Sequence, residues 1–287
     1  MLIYFAVVAV AGALLAPVLF WTAQSLAAHG VAVFLAKFDF ESFFHRALLI
    51  AAALLLWPFL RWTGLRSLKD LGLLPNHRRW ADLGFGFAFA IVPLLCCGVV
   101  LIMARIYLLR SGVAWAGFGR VIAASAAVPL IEEAFFRGLI LGLLLRRGNQ
   151  QMSILLTSII FSVVHFLKAP EKTTQIVTWT SGFRSIHHAF TQFNEPMLVL
   201  AMFTTLFLVG WVLADARVCT RSLWLPIGLH AGWIFGSGVF SILARRQVQL
   251  LPWLGKNLLV GIIPLGLVAT TWIMMRWYVR NESNSKT

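Results

Sequence analysis

Arg120-Val-Ile-Ala-Ala-Ser-Ala-Ala-Val-Pro129-Leu-Ile-Glu132-Glu133-Ala-Phe-Phe-Arg137-Gly-Leu-Ile140 places two adjacent carboxylates inside an otherwise apolar block. The block is long enough to cross a bilayer as a helix, which takes roughly 20 apolar residues. One ionised side chain at mid-bilayer costs about 2.5–3.5 kcal/mol on insertion scales, so an acidic pair there needs partners. Glu133 and Arg137 stand four apart and share one helical face, where they neutralise each other. Glu132 points about 100° away and has no oppositely charged residue three or four positions distant. One carboxylate is therefore braced, and the other is left to meet a proton, a metal or a water.

The rest of the chain supports the membrane reading. Its 287 residues are 60% hydrophobic and only 12% charged, with a mean hydropathy of +0.85. A soluble domain of this size needs more charge to cover its surface. Apolar blocks fall at about 2–26, 43–60, 81–109, 120–145, 152–167, 197–214, 222–243 and 257–278. The expectation is an all-α protein: one integral membrane domain over 1–287, a polytopic bundle of about eight transmembrane helices. Met1 to Leu26 has no Lys or Arg ahead of its apolar run, which predicts a first span rather than a cleaved signal.

The net charge of +14 comes from cations at the ends of apolar blocks, where they meet lipid headgroups. No basic patch alternates with solvent-facing polar segments, so nucleic acid is not expected as a partner. The most basic connector, about 61–79, holds Arg61, Arg66, Lys69, Arg78 and Arg79; cations divide almost evenly between the two sides and leave orientation open. A second long connector, about 168–196, carries His187 and His188 and is expected to form an interfacial element or lid. That histidine pair is read as a solvated loop pair without a role. Trp57, Trp62, Trp80, Trp224, Trp253 and Trp277 lie near block ends, as an interfacial aromatic belt does. Cys96, Cys97 and Cys219 are too few for a disulfide framework and are expected to be small buried residues. Pro129, three before Glu132, is expected to loosen the backbone beside the acidic pair.

Ionisable residues deep in a bilayer are functional candidates. Away from block ends these are Glu132, Glu133, Arg137, His165 and His230. At about 1.5 Å per residue, Glu132 lies roughly 18 Å from Arg120 and 21 Å from Arg146, near mid-depth, and His230 lies about 13.5 Å from Arg221. Three helices thus bring polar groups to one interior. A carboxylate and an imidazole converging on a buried water form a plausible hydrolytic site, and a further His can donate to an oxyanion.

These segments resemble the CAAX protease and bacteriocin-processing family of intramembrane endopeptidases, which includes the type II CAAX prenyl endopeptidases. That family carries Glu-Glu-x-x-x-Arg, Phe-x-x-x-His and His-x-x-x-Asn on separate helices of an eight-helix bundle. Glu132-Glu133-x-x-x-Arg137 and Phe161-x-x-x-His165 match fully, in the right order, and the resemblance covers about 120–243. It implies that Glu132 and His165 activate the attacking water in a glutamate-dependent, not metal-dependent, protease. It implies further that Glu133 and Arg137 brace the site, that His230 stabilises the oxyanion, and that no cofactor is required. The substrate implied is a membrane-anchored or lipidated peptide, and the expected location is the bacterial plasma membrane. The third motif departs from the pattern, because Ile234 stands four after His230 where Asn is expected. Ser237, on nearly the same face, is a candidate substitute donor.

Other readings stand beside this one. The acidic pair and Arg137 can be a structural clamp, which accounts for Glu133 better than for Glu132. Glu132, Glu133, His165 and His230 form a plausible ligand set for zinc or another divalent metal, although no His-Glu-x-x-His sequence is present. Ile234 makes a catalytically silent immunity or scaffold protein credible. A proton-coupled transporter with a Glu132–His165 relay is a further alternative, without the paired broken helices and repeat symmetry such proteins show.

Overall fold

The computed structural model describes residues 2–63, 77–113, 115–146, 148–166, 176–191, 196–248, 253–255, 258–259 and 261–284. The chain divides into two compact units, 1–66 with 164–195, and 67–163 with 196–287. Most of the connector expected at 61–79, and the first part of the one at 168–196, lie outside the described residues.

In the first unit, α1 (Leu2–Ala28) and α2 (Phe40–Thr63) pack along their length, and α7 (Ser181–Thr191) lies against α1. Small residues make this possible. Helices in lipid gain little from burying apolar surface against each other, so close backbone approach and van der Waals contact hold them together. Ala13 and Ala16 are fully buried against Phe40, Phe44 and Ala47, and Gly182 sits on the backbone of Ala13. Trp21 and Trp179 meet edge-on at 4.8 Å. The helix α7 corrects one expectation: His187 and His188 stand on a helix, their rings 6.3 Å apart, and not in a loop.

The second unit contains α3 (Arg79–Met103), β1 (Tyr107–Leu109), α4 (Ala116–Glu133), a π-helical segment (Ala134–Ile140), α5 (Leu141–Leu145), most of α6 (Gln150–Phe166), α8 (Pro196–Thr220), α9 (Trp224–Leu243), β2 (Ala244–Arg246) and α10 (Ile262–Asn284). The block expected at 81–109 therefore ends early. Its helix stops at Met103, Arg105 turns the chain with φ of 59°, and β1 pairs antiparallel with β2.

Parallel packing of α3 on α9 forms the spine of this unit. Gly228, Gly232 and Gly236 recur every fourth residue on α9, facing Leu83, Phe87 and Leu94 in rising order along α3. A Cβ at Gly228 or Gly232 would run into the carbonyl of Leu83 or Phe87. A Cβ at Gly86 would lie 2.6 Å from the Leu225 carbonyl. Antiparallel to α9 runs α4, with Gly117 against Ile242 and Gly238 against Val121. Hydrogen bonds place α10. Thr271 donates to the Phe89 carbonyl at 3.0 Å and Tyr278 to Asp82 at 3.0 Å, while Asp215 on α8 accepts from Trp272 and Arg276, each at 2.7 Å.

This packing makes a prediction. Gly228→Ala is expected to destabilise the protein by about 1–3 kcal/mol through overpacking, since backbone cannot move aside as a side chain can. Gly84, with open space beside it, serves as control: Gly84→Ala should be neutral or slightly stabilising, because alanine is the better helix former. Thermal unfolding of both variants in one detergent checks this.

Five of the described helices are long and apolar enough to cross a membrane: Ile3–Ala28, Arg79–Met103, Val199–Thr220, Trp224–Leu243 and Ile262–Glu282. The protein is an integral membrane α-helical bundle. Trp62, Trp80, Trp253 and Trp277 are exposed near helix ends, as a belt requires, whereas the Trp57 side chain lies outside the described ones. The cysteines are free, but Cys96 is exposed and Cys97 and Cys219 are half-buried, contrary to the expectation of burial. In lipid an outward-facing thiol carries no solvation penalty, so burial is not enforced there.

Candidate active site

The acidic pair ends α4, and the backbone changes at the next residue. From Ala134 to Ile140 the chain forms a π-helical turn, with the Leu141 amide reaching back to the Phe136 carbonyl. Such turns insert one extra residue and are frequent at functional sites. The loosened backbone therefore follows the pair. Pro129 lies within α4, which runs on to Glu133.

Within this turn Arg137 is fully buried and donates to Glu133 Oε1 at 2.9 Å, as their spacing predicts. Its other terminal nitrogen donates to the Gly210 carbonyl of α8 at 3.2 Å. Gly210 also lets α8 approach α6, where a Cβ would lie 3.1 Å from Ser158 Cα. Below the guanidinium is the Phe161 ring, its centroid 4.4 Å away, a cation–π contact strengthened by burial. Phe136 closes on Phe161 edge-on at 5.1 Å. Arg137 is thus tied to two other helices.

His230 enters from α9. Its Nδ1 lies 2.8 Å from Glu133 Oε1, and its Nε2 lies 3.9 Å from Glu132 Oε2. An ionised carboxylate only accepts hydrogen bonds. With Arg137 holding Glu133 in that form, Nδ1 must be the donor. In neutral His230 the lone pair is then on Nε2 and faces Glu132. The two glutamates thus act on one ring from opposite nitrogens, a link that helical spacing alone does not reveal. Their exposures divide the roles: the Glu133 side chain is 0% exposed and the Glu132 side chain 27%. Part of the Glu132 side chain reaches the protein surface, although its Oε2, which faces His230, is buried; Glu133 is enclosed entirely.

Of the five candidates, Glu132, Glu133, Arg137 and His230 come together in the second unit. His165 falls in the first, half-buried and one helical turn beyond Phe161 on α6. Two participants were not singled out in the sequence: the Gly210 carbonyl and the Phe161 ring as a floor for Arg137. A glycine in an apolar helix and an aromatic four before a candidate histidine were the available signals. The suggestion that Ser237 replaces the missing donor is corrected, since its hydroxyl donates to the Ile234 carbonyl of its own helix at 3.2 Å. Hydroxyls in helices commonly satisfy themselves this way.

A gap of 3.9 Å between two polar atoms is too long for a direct hydrogen bond and suits a bridging water. For a metal the donor set is less apt. Glu133 Oε1 is already engaged by Arg137 and His230. Among the described residues no group of three or more His, Cys, Asp or Glu side chains is gathered to hold an ion.

Comparison with protein families matches residues 114–236 to the family described as Type II CAAX prenyl endopeptidase Rce1-like. The matched stretch contains all three motif segments, Ile234 included. No curated protein and no solved structure matches the chain.

Proposed function

We propose, from the match of residues 114–236 to the family described as Type II CAAX prenyl endopeptidase Rce1-like, that the protein is an intramembrane endopeptidase that hydrolyses a peptide bond in a membrane-associated polypeptide. The observation that carries this reading is the chain Arg137–Glu133–His230–Glu132, in which a braced carboxylate orients an imidazole towards a partly exposed one.

In this reading Glu132 takes a proton from the water as its oxygen attacks the carbonyl carbon. His165 assists, a role carried over from the matching Phe161-x-x-x-His165 motif. The tetrahedral intermediate collapses as the carbon–nitrogen bond breaks, and the proton passes to the leaving amine. His230, in the form protonated at both ring nitrogens, donates from Nε2 to the oxyanion and keeps that proton, while Glu133 and Arg137 act as positioning residues. The substrate is a peptide held at the membrane by an anchor or a lipid, a prenyl group among the candidates, and the setting a bacterial plasma membrane. No cofactor is assigned.

The test is cleavage of membrane-anchored peptides by purified protein, with and without chelator. Cleavage unaffected by chelator is expected; loss restored by zinc would instead favour a metal-dependent reaction.

A second reading has one observation in its favour. Ile234 offers no donor, and the nearby Ser237 hydroxyl is directed to its own helix. A missing oxyanion donor typically costs about 100- to 1000-fold in rate, so the protein is either a slow peptidase or a silent binder of the same substrates. Ile234→Asn separates them. Cleavage by that variant is expected to rise at least tenfold over wild type if an oxyanion donor limits the rate. A variant as inactive as a silent wild type would favour the binder.

A further inference from the structure

The ends of α3 and α9 meet in the two-stranded ribbon, whose charged residues are all cationic. Tyr107 pairs with Arg246, Leu108 with Arg245 and Leu109 with Ala244. The pairing extends by backbone bonds from Arg110 to the Leu243 carbonyl at 2.8 Å and from Gln247 to Ile106 at 3.0 Å. Alternation in a strand puts every second residue on one face. Tyr107 is turned inward on the Phe240 ring, so Leu108, Arg110 and Arg245 share the outer face, with the two arginines diagonal across the strands. Arg105, Arg110 and Arg245 are exposed, and Leu109 is 65% exposed. Arg246 donates to the Gly255 carbonyl, which brings exposed Trp253 to the same end.

From 104 to 120 and from 244 to 262 the sequence has five arginines, a lysine and no Asp or Glu. At the opposite end two cations are matched, Arg78 with Glu282 and Arg276 with Asp215. Among the described residues Arg105, Arg110 and Arg245 have no such partner. An array of cations without counter-charges, set among exposed Leu and Trp at the ends of two spans, is complementary to an anion that is itself attached to acyl chains.

We propose that the outer face of the β1–β2 ribbon binds the phosphate groups of anionic phospholipids, with Arg110 and Arg245 as the phosphate-binding pair and Leu108 lying in the acyl boundary. Soluble acidic ligands fit less well, because they leave Leu108 in water. This surface is independent of the peptidase reading.

Retention of phosphatidylglycerol against phosphatidylcholine, measured by native mass spectrometry on the detergent-purified full chain, tests the proposal. Each cation near an anionic surface contributes roughly fivefold, so R110Q with R245Q is expected to weaken phosphatidylglycerol retention about 25-fold and to leave phosphatidylcholine unchanged. The pair R110K with R245K should retain most of the preference, since both charges remain. R146Q with R221Q, at the opposite end, should weaken it less than R110Q with R245Q does. Equal retention of the two lipids by wild type, an unchanged preference in R110Q with R245Q, or an equal loss in R146Q with R221Q overturns the proposal.

Discussion

Arg137→Met is expected to destabilise the protein by about 3–5 kcal/mol, the range for removing one partner of a buried ion pair. The cause is what the substitution leaves behind. Glu133 is fully buried, and its Oε1 would keep only His230 as a donor. The Gly210 carbonyl would also lose the hydrogen bond it accepts. Converting both charges to apolar groups, Glu133→Leu with Arg137→Met, should recover most of the stability, because no lone charge then remains in the interior. Cleavage should stay lost in the double variant, since His230 Nδ1 has no acceptor to fix its orientation. Denaturation in detergent and peptide cleavage, run on the same samples, separate the two effects. A single variant as stable as wild type would show that the pair does not hold this turn.

Glu132→Gln is expected to lower the cleavage rate by about 100- to 10,000-fold, the usual contribution of a general base. Glutamine keeps the shape of the side chain and removes its capacity to take a proton. Stability should change little, because Glu132 is partly exposed and is not the partner of Arg137. The Michaelis constant should also change little, as the loss falls on the chemical step and not on substrate binding. A large fall in stability in this variant would instead assign Glu132 to the clamp.

Long apolar blocks made the bundle legible, because a spanning helix must be apolar for most of its length. The Glu133–Arg137 pair was legible from its spacing of four. What the sequence did not disclose depends on contacts between helices. Nothing in the order of residues says that His230 turns its two ring nitrogens to the two glutamates, or that the Gly210 carbonyl accepts from Arg137. The π-helical turn leaves no mark in the residue order either, for Ala134 to Ile140 simply continues the helical run. Strands were not foreseen in the block at 81–109, where apolar Tyr107 to Leu109 simply continues the hydrophobic run. His165 stands out already as an ionisable residue inside an apolar block, whereas Ile234 is legible only as a departure from the family pattern.

The central claim is that a water bound beside Glu132 attacks the peptide bond. Single-turnover cleavage of a membrane-anchored peptide in water enriched in oxygen-18, by wild type and by Glu132→Gln, tests it most directly. One heavy oxygen is expected in the newly formed carboxylate with wild type, and almost no product with Glu132→Gln over the same interval. Product formed by Glu132→Gln at the wild-type rate would contradict it.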